Sequence, residues 1–400
     1  MKKLLFAALC SAVVLCSCER VNEGKKLTPD ESKDKMEKTL AAFMDACPAS
    51  DFDDLSDFAS FLGENYFKSE VNYDFSALDS WYEESCNSSV KEEGSIVYVT
   101  FVLSQYTGKF TFTSNGIKYE EADVLSFCVT DDKDAEWVFT LEPSGKVKEF
   151  VNSDIDGTEL TVKIPEKVIV TLTRNGKQMM KETITYDISL SSDINVSKDK
   201  ATVSHEFAIK DYIINIKTGV DGKTGEFQAN ASLTKKGQLL LKGSFMGEVE
   251  MTGDVINNAT ISNATNVKMN MDIMSAMQIT GTTKNVKEVY NANDCSPYDK
   301  EGIIAAVKTI NSQLDLKFFY DNTKTEQGHF EVEEYEYDSE GKACWGLVPV
   351  IVFHDNSRYL LPDYFNENDF ANLVENFNAF VAMYQELFER IANSSHSEVL

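Results

Sequence analysis

From about Ser95 to Tyr290 apolar side chains recur at every second position, and that alternation confines the centre of the chain to β-structure. Val168, Val170 and Leu172 share one side of a strand, as do Ile184, Tyr186, Ile188 and Leu190, then Tyr212, Ile214 and Ile216, then Phe227, Ala229, Ala231 and Leu233. A helix would scatter these side chains around its axis, whereas a pleated strand puts residues i and i+2 on one face. Polar residues occupy the positions between, which predicts antiparallel sheet with one wet face. Asn115-Gly116, Asn175-Gly176 and Lys236-Gly237 mark tight hairpins, because glycine tolerates the positive φ they need. Leu172 to Lys181 reads much like Leu233 to Lys242, so either the hairpins share turn chemistry or the chain carries an internal repeat.

Two apolar rows set the expectation for a cavity. Leu239, Leu241, Gly243, Phe245, Gly247, Val249 and Met251 alternate along one strand, and its two glycines leave gaps and allow a bend, so a strongly curved sheet is implied. Val267, Met269, Met271 and Ile273 form the second row. Phe245, Met251, Met269 and Met271 are therefore the expected lining of a ligand cavity, since methionine adapts to irregular apolar shapes. Met269, Met271, Met274 and Met277 also lie within nine residues, a thioether density that could hold Cu(I), but the alternation explains half of it as core filling or cavity wall.

Helical patterns flank the sheet. Thr28-Pro29-Asp30-Glu31 has the cap, the first-turn proline and the acid of a capping box, and Met36, Leu40, Phe43, Met44 and Cys47 follow on one face. A second helix is predicted from Phe52 to Tyr66 and a short third near Phe75 to Tyr82. Past Asp294 a helix with Ile303, Ile304, Val307 and Ile310 precedes three strands, the last pushed toward a sheet edge by Pro349. A final helix repeats Phe370, Phe377, Tyr384 and Ile391 every seven residues beside Leu373, Phe380 and Leu387, a stripe wide enough to pack on the sheet. The expected fold class is α+β: a large curved antiparallel β-sheet, open-barrel-like, with packed N- and C-terminal helices. Its expected segments are 1–17 signal peptide, 18–27 lipid-anchored tether, 28–90 helical, 91–293 antiparallel sheet and 294–400 mixed α/β.

The first seventeen residues carry an address. Met1-Lys2-Lys3, an apolar run from Leu4 to Leu15 and a small-residue site form a signal peptide, too short to span a bilayer. Leu15-Cys16-Ser17-Cys18 resembles the lipobox of bacterial lipoproteins, which implies cleavage before Cys18 and acylation of that cysteine; at Cys16 the large Leu15 would occupy the small-residue position. Glu19 in place of Asp after the anchor favours the outer membrane, with the leaflet left open. Ile164-Pro165, Val168 to Leu172, Asn175-Gly176, and Phe353-His354-Asp355 leading to Tyr364-Phe365-Asn366-Glu367 resemble segments of a family of bacterial outer-membrane lipoproteins; that resemblance brings no activity and no site residues. In architecture alone the chain is similar to lipoprotein carriers and related lipid-binding lipoproteins, which hold acyl chains between a curved sheet and helices.

Loss of Lys2 and Lys3 with the signal takes the formal charge from -27 to -29, and no basic run occurs, so nucleic acid is excluded as a partner. Five cysteines remain beside the anchor, Cys47, Cys86, Cys128, Cys295 and Cys344; export permits disulfides, and Cys47 with Cys86 is a candidate pair. No cofactor or metal set is legible. Asn152-Ser153-Asp154-Ile155-Asp156-Gly157 begins like a calcium loop, but Lys163 stands where a bidentate glutamate must close the shell, and a hairpin turn fits better. Gly341-Lys342-Ala343-Cys344-Trp345 resembles part of a papain-type nucleophile segment, yet a strand follows where a helix is needed, so Cys344 reads as a buried thiol. The scattered histidines have no zinc spacing, and His205, in the row of Val203, Phe207 and Ile209, reads as a core histidine. Acid pairs such as Asp131/Asp132 are too common to indicate glycosidase chemistry. The sum is a membrane-tethered, non-catalytic protein that binds an apolar or amphipathic ligand, a hydrophobic small molecule or lipid, between curved sheet and helices. The alternative is a surface module for glycan or protein, with Trp81, Trp137 and Trp345 as platforms in a chain that is 11% aromatic.

Overall fold

The computed structural model describes residues 23–67, 73–87, 90–93, 96–103, 106–155, 158–189, 198–249, 264–365 and 371–395. The signal segment, Cys18 and Met251 lie outside them. Strand outweighs helix, 52% to 29%, and the fold is α+β: a large, mainly antiparallel sheet that does not close on itself. Helices Pro29–Ala46, Asp53–Leu62 and Ser76–Asn87 precede the strands, Val286–Asn293 and Lys300–Gln313 interrupt them, and Ala371–Ser395 follows. The pairings of Ile96–Val102 with Thr158–Arg174 and of Gly108–Thr113 with Leu125–Thr130 depart from the antiparallel expectation and are parallel. Bulges at ladder positions such as Ser144/Val147, Leu172/Thr173 and Met246/Glu248 supply local bends.

The chain divides into two compact units, one from the segment ending at Ala46 and from Ile216–Asn378, the other from Cys47–Asn195, Asp199–Asn215 and Ala379–Leu400. In the first unit, register carries an apolar row from Gly243 through Met271, Ile279, Phe318 and Gly328 to Phe353. The helix Pro29–Ala46 covers this row, with Met36 inside the cluster and Leu40 and Phe43 packed against it. Its start is the capping box read from sequence: Glu31 N–H donates to Thr28 Oγ1 at 3.2 Å, and Thr28 N–H to Glu31 Oε2 at 2.9 Å. Buried tyrosines fix the same end, Tyr320 sharing a 2.6 Å hydrogen bond with Ser32 and Tyr364 donating to the Pro29 carbonyl at 3.0 Å. Residues Gly24 to Leu27, read as tether, are bonded to this unit through Thr325 and Gln327.

In the second unit the helix Asp53–Leu62 runs on into a π-helical turn, Gly63–Phe67. Its preceding turn is fastened where Tyr212 Oη donates to Asp51 at 2.5 Å and Phe52 lies 5.2 Å from the Tyr212 ring. Burial, with the Asp51 carboxylate beside it, holds the Tyr212 phenol well above its ordinary pKa, so it stays a donor. Tyr384 of the last helix donates to the Cys47 carbonyl at 3.1 Å.

The look-alike hairpins share more than a turn. Asn175-Gly176 and Lys236-Gly237 both have positive φ at both turn residues, and both ladders slip at the equivalent place, Leu172/Thr173 and Leu233/Thr234. The residues bulged out of register, Met179 and Leu240, are both buried, and each carbonyl accepts the N–H of a positive-φ residue in the next hairpin, Lys210 at 3.1 Å and Met274 at 3.0 Å. The bulge also revises the first apolar row: Leu240, only 1% exposed, turns inward, and Leu239 is left half-buried.

Several finer expectations meet the structure differently. Cys47, Cys128 and Cys344 are buried and Cys295 is half-buried, while the side chain of Cys86, the candidate partner of Cys47, lies outside the described residues. His205 is no core histidine; it is part-exposed, its Nδ1 2.8 Å from Glu182 Oε1. The described part of the calcium look-alike runs along the strand Glu136–Ile155, whose ladder with Thr158–Arg174 closes a hairpin there, while Lys163 pairs with Glu149 at 3.1 Å. The last helix turns Val374, Phe377, Phe380, Val381 and Tyr384 inward, but they are half-buried rather than buried.

Candidate functional site

A hairpin end, a helix and two cations line an open cavity of about 390 Å³ in the second unit. It is organised by Asp131. Asp131 Oδ1 accepts the backbone N–H groups of Lys133 at 2.9 Å and Ala135 at 2.8 Å, and this is why the chain can reverse through Asp134 with φ of 57°. Its Oδ2 accepts the indole N–H of Trp137 at 2.9 Å. Burial pushes the Asp131 carboxyl upward, but the bonds from Trp137, Ala135 and Lys133 and the charge of Arg174 outweigh it and hold the pKa below the ordinary value.

Trp137 is the floor. Phe58 of the helix Asp53–Leu62 stacks on it at 4.0 Å and 8°, and the Arg174 guanidinium, from the cross-strand partner of Trp137, lies 5.3 Å from its ring centre. Charge then ties helix to sheet: Lys133 reaches Asp57 at 3.2 Å, Lys210 reaches Asp54 at 3.1 Å, and Arg174 sits 3.9 Å from both Asp54 and Asp131. The outer wall is Ser60, Phe61, Glu64, Asn65 and Asp132. Nine of the twelve lining side chains are polar or charged, so the cavity suits a ligand that offers hydrogen bonds, with Phe61 left for an apolar edge.

The residues expected to line an apolar cavity are distributed differently. Met271 is 3% exposed inside the core cluster under the first helix, with Met277, and Met274 packs against it. Met269 and Phe245 share that face but are half-buried beyond the cluster, and Met251 is outside the described residues. The gap at Gly247 is filled from within the chain, and Gly281 of a nearby strand is equally hemmed in. A Cβ at Gly247 would lie 2.7 Å from the Phe227 ring and 2.9 Å from Val267, and one at Gly281 would meet Leu316 and Met269 at 2.7 and 2.8 Å.

Of the expected platforms, Trp137 belongs to the pocket but is 1% exposed, so it shapes the floor and presents no free face. Trp81 donates to the Thr107 carbonyl at 3.1 Å and packs edge-on to Phe110, and Trp345 lies under Lys300 at 5.4 Å. Asp131/Asp132 was set aside in the sequence as one acid pair among many. The signal that distinguishes it is local: an Asp opening a tight turn four residues before Ala135-Glu136-Trp137, of which Ala135 and Trp137 are buried, opposite an Arg-Asn-Gly hairpin. No family model, curated protein or solved structure matches the chain.

Proposed function

We propose that the chain is an exported lipoprotein, anchored through Cys18 on the outer membrane, that binds a small hydroxyl-rich ligand of the glycan class in the pocket over Trp137 without transforming it. The polar lining carries this reading: a lipid would desolvate the carboxylates and gain no partners for them, whereas sugar hydroxyls replace the lost water hydrogen bonds. Asp131 gives its proton up more readily than an ordinary carboxyl, which keeps it an acceptor at neutral pH.

The half-buried pair Phe245 and Met269 favours a second reading, an apolar or amphipathic ligand along the edge of the first unit's core. A glycan array read with soluble protein lacking the anchor tests the first reading. Signal lost in Phe61→Ala and Asn65→Ala, and kept in Met269→Ala, is the expected pattern; no glycan signal with wild-type protein would overturn it.

A further inference from the structure

The pocket over Trp137 is continued by a run of aromatic rings. Phe61, on its outer wall, meets the Tyr66 ring edge-on at 5.9 Å, and Tyr66 meets Tyr73 at 4.8 Å and Phe112 at 5.0 Å. From Tyr73 the contacts pass to Phe75 at 5.2 Å, and Phe75 stacks on Phe67 at 5.9 Å and 23°. A local change of helix joins the run to the pocket. Residues five apart on an α-helix point about 140° from one another, so Phe61 and Tyr66 would diverge. The π-helical turn Gly63–Phe67 winds more slowly, and it turns Tyr66 back toward Phe61 while Glu64 and Asn65 stay on the pocket wall. Asn65 fastens the junction, its Nδ2 donating to the Phe61 carbonyl at 2.8 Å.

None of these six rings is buried. Phe67 is 48% exposed and the other five are half-buried, whereas Trp137 and Phe110 in the same unit are 1% and 0% exposed. Rings that serve only to hold helix to sheet gain most by full burial, so a connected set that keeps part of each ring in water has the character of a binding surface. The Tyr73 hydroxyl is taken up by the Thr113 carbonyl at 2.8 Å, and burial holds the Tyr66 phenol above its ordinary pKa, so it keeps its proton and can donate. A sugar ring is two-sided in the same way. Its faces carry C–H groups, which rest on aromatic rings, and its edges carry hydroxyls, which a polar pocket receives.

We propose that the pocket over Trp137 seats one end of an oligosaccharide and that the surface running from Phe61 through Tyr66 to Phe75 and Phe67 stacks the sugar units that follow. The proposal rests on the glycan reading of the pocket and adds chain length to it. A single sugar uses the pocket alone; a longer chain uses both.

Calorimetric titration of soluble protein lacking the anchor with glucose-, mannose- and xylose-based sugars of one, two and four units tests this. At least one tetrasaccharide should bind about tenfold or more tighter than its own single sugar, and Phe67→Ala should remove that gain while leaving the single-sugar affinity as it was. Phe67→Leu keeps an apolar contact with Phe75 but no flat face, and it should behave as Phe67→Ala does, with thermal unfolding to show that both variants fold as wild type does. Equal affinity for one and four units, or a gain that survives both substitutions, overturns the aromatic track and leaves the pocket standing. No binding of any of these sugars overturns the pocket and the track together.

Discussion

Asp131 gathers three N–H groups onto its two oxygens, two from backbone and one from a nearly inaccessible indole. Asp131→Ala leaves the Trp137 N–H buried without an acceptor and should lower stability by about 1–3 kcal/mol in urea unfolding followed by tryptophan fluorescence. Its lowered pKa fixes a pH dependence. The stabilisation is present above the unfolded-state value of about 4 and is lost as pH falls through the lower native value, so wild type and Asp131→Asn should converge in acid. Asp272 has the opposite sign. It is 3% exposed, and burial raises its pKa against the weaker pull of the Ser275 N–H at 2.7 Å, the Gln278 amide and Lys242. The native state then holds its proton after the unfolded state has released it, so stability falls as pH rises from about 4 through the raised native value. Asp272→Asn should melt higher than wild type at pH 7, with the difference closing toward pH 4. Neither role was legible in the sequence, because both depend on which hairpin turn folds over which carboxylate, and acids are abundant everywhere in this chain.

At the scale of elements, periodicity identified what repeats and missed what interrupts. The capping box at Thr28 and the Asn175-Gly176 and Lys236-Gly237 hairpins are local, with partners three or four residues apart, and they stand as read, whereas Tyr82 and Ile304, placed on apolar helix faces, are exposed and the Asn115-Gly116 turn falls one residue earlier. The bulges at Leu233/Thr234 and Leu172/Thr173 are not local, and one residue out of step is enough to exchange Leu239 for Leu240 on the inner face. The last helix shows the same limit. Its heptad stripe predicts contact, but how deeply the stripe sinks depends on the surface that receives it, and Phe380 is half-buried against Tyr384 at 4.9 Å. Phe380→Ala should therefore cost about 1–2 kcal/mol, less than the loss expected for a fully buried phenylalanine, and thermal unfolding measures it.

For the whole molecule, the α+β class and the large open sheet followed from alternation over nearly two hundred residues, while the division into two interleaved units did not, since it depends on which distant strands pair. Glycine and methionine in an alternating row announce space in a sequence, but in the fold Phe227 and Val267 occupy that space at Gly247. The anchor is a separate claim with its own check: Cys18→Ser should abolish labelling by a clickable fatty acid, whereas Cys16→Ser should keep it. Native mass spectrometry of the protein taken from its own membrane tests the central claim, that the ligand is polar and sits over Trp137 while the methionine row is filled core. The account predicts a mass explained by chain and covalent acyl groups alone, with added adducts appearing on incubation with the glycan found on the array. A phospholipid or fatty acid retained without a covalent bond, and lost in Met269→Ala or Phe245→Ala, would contradict it.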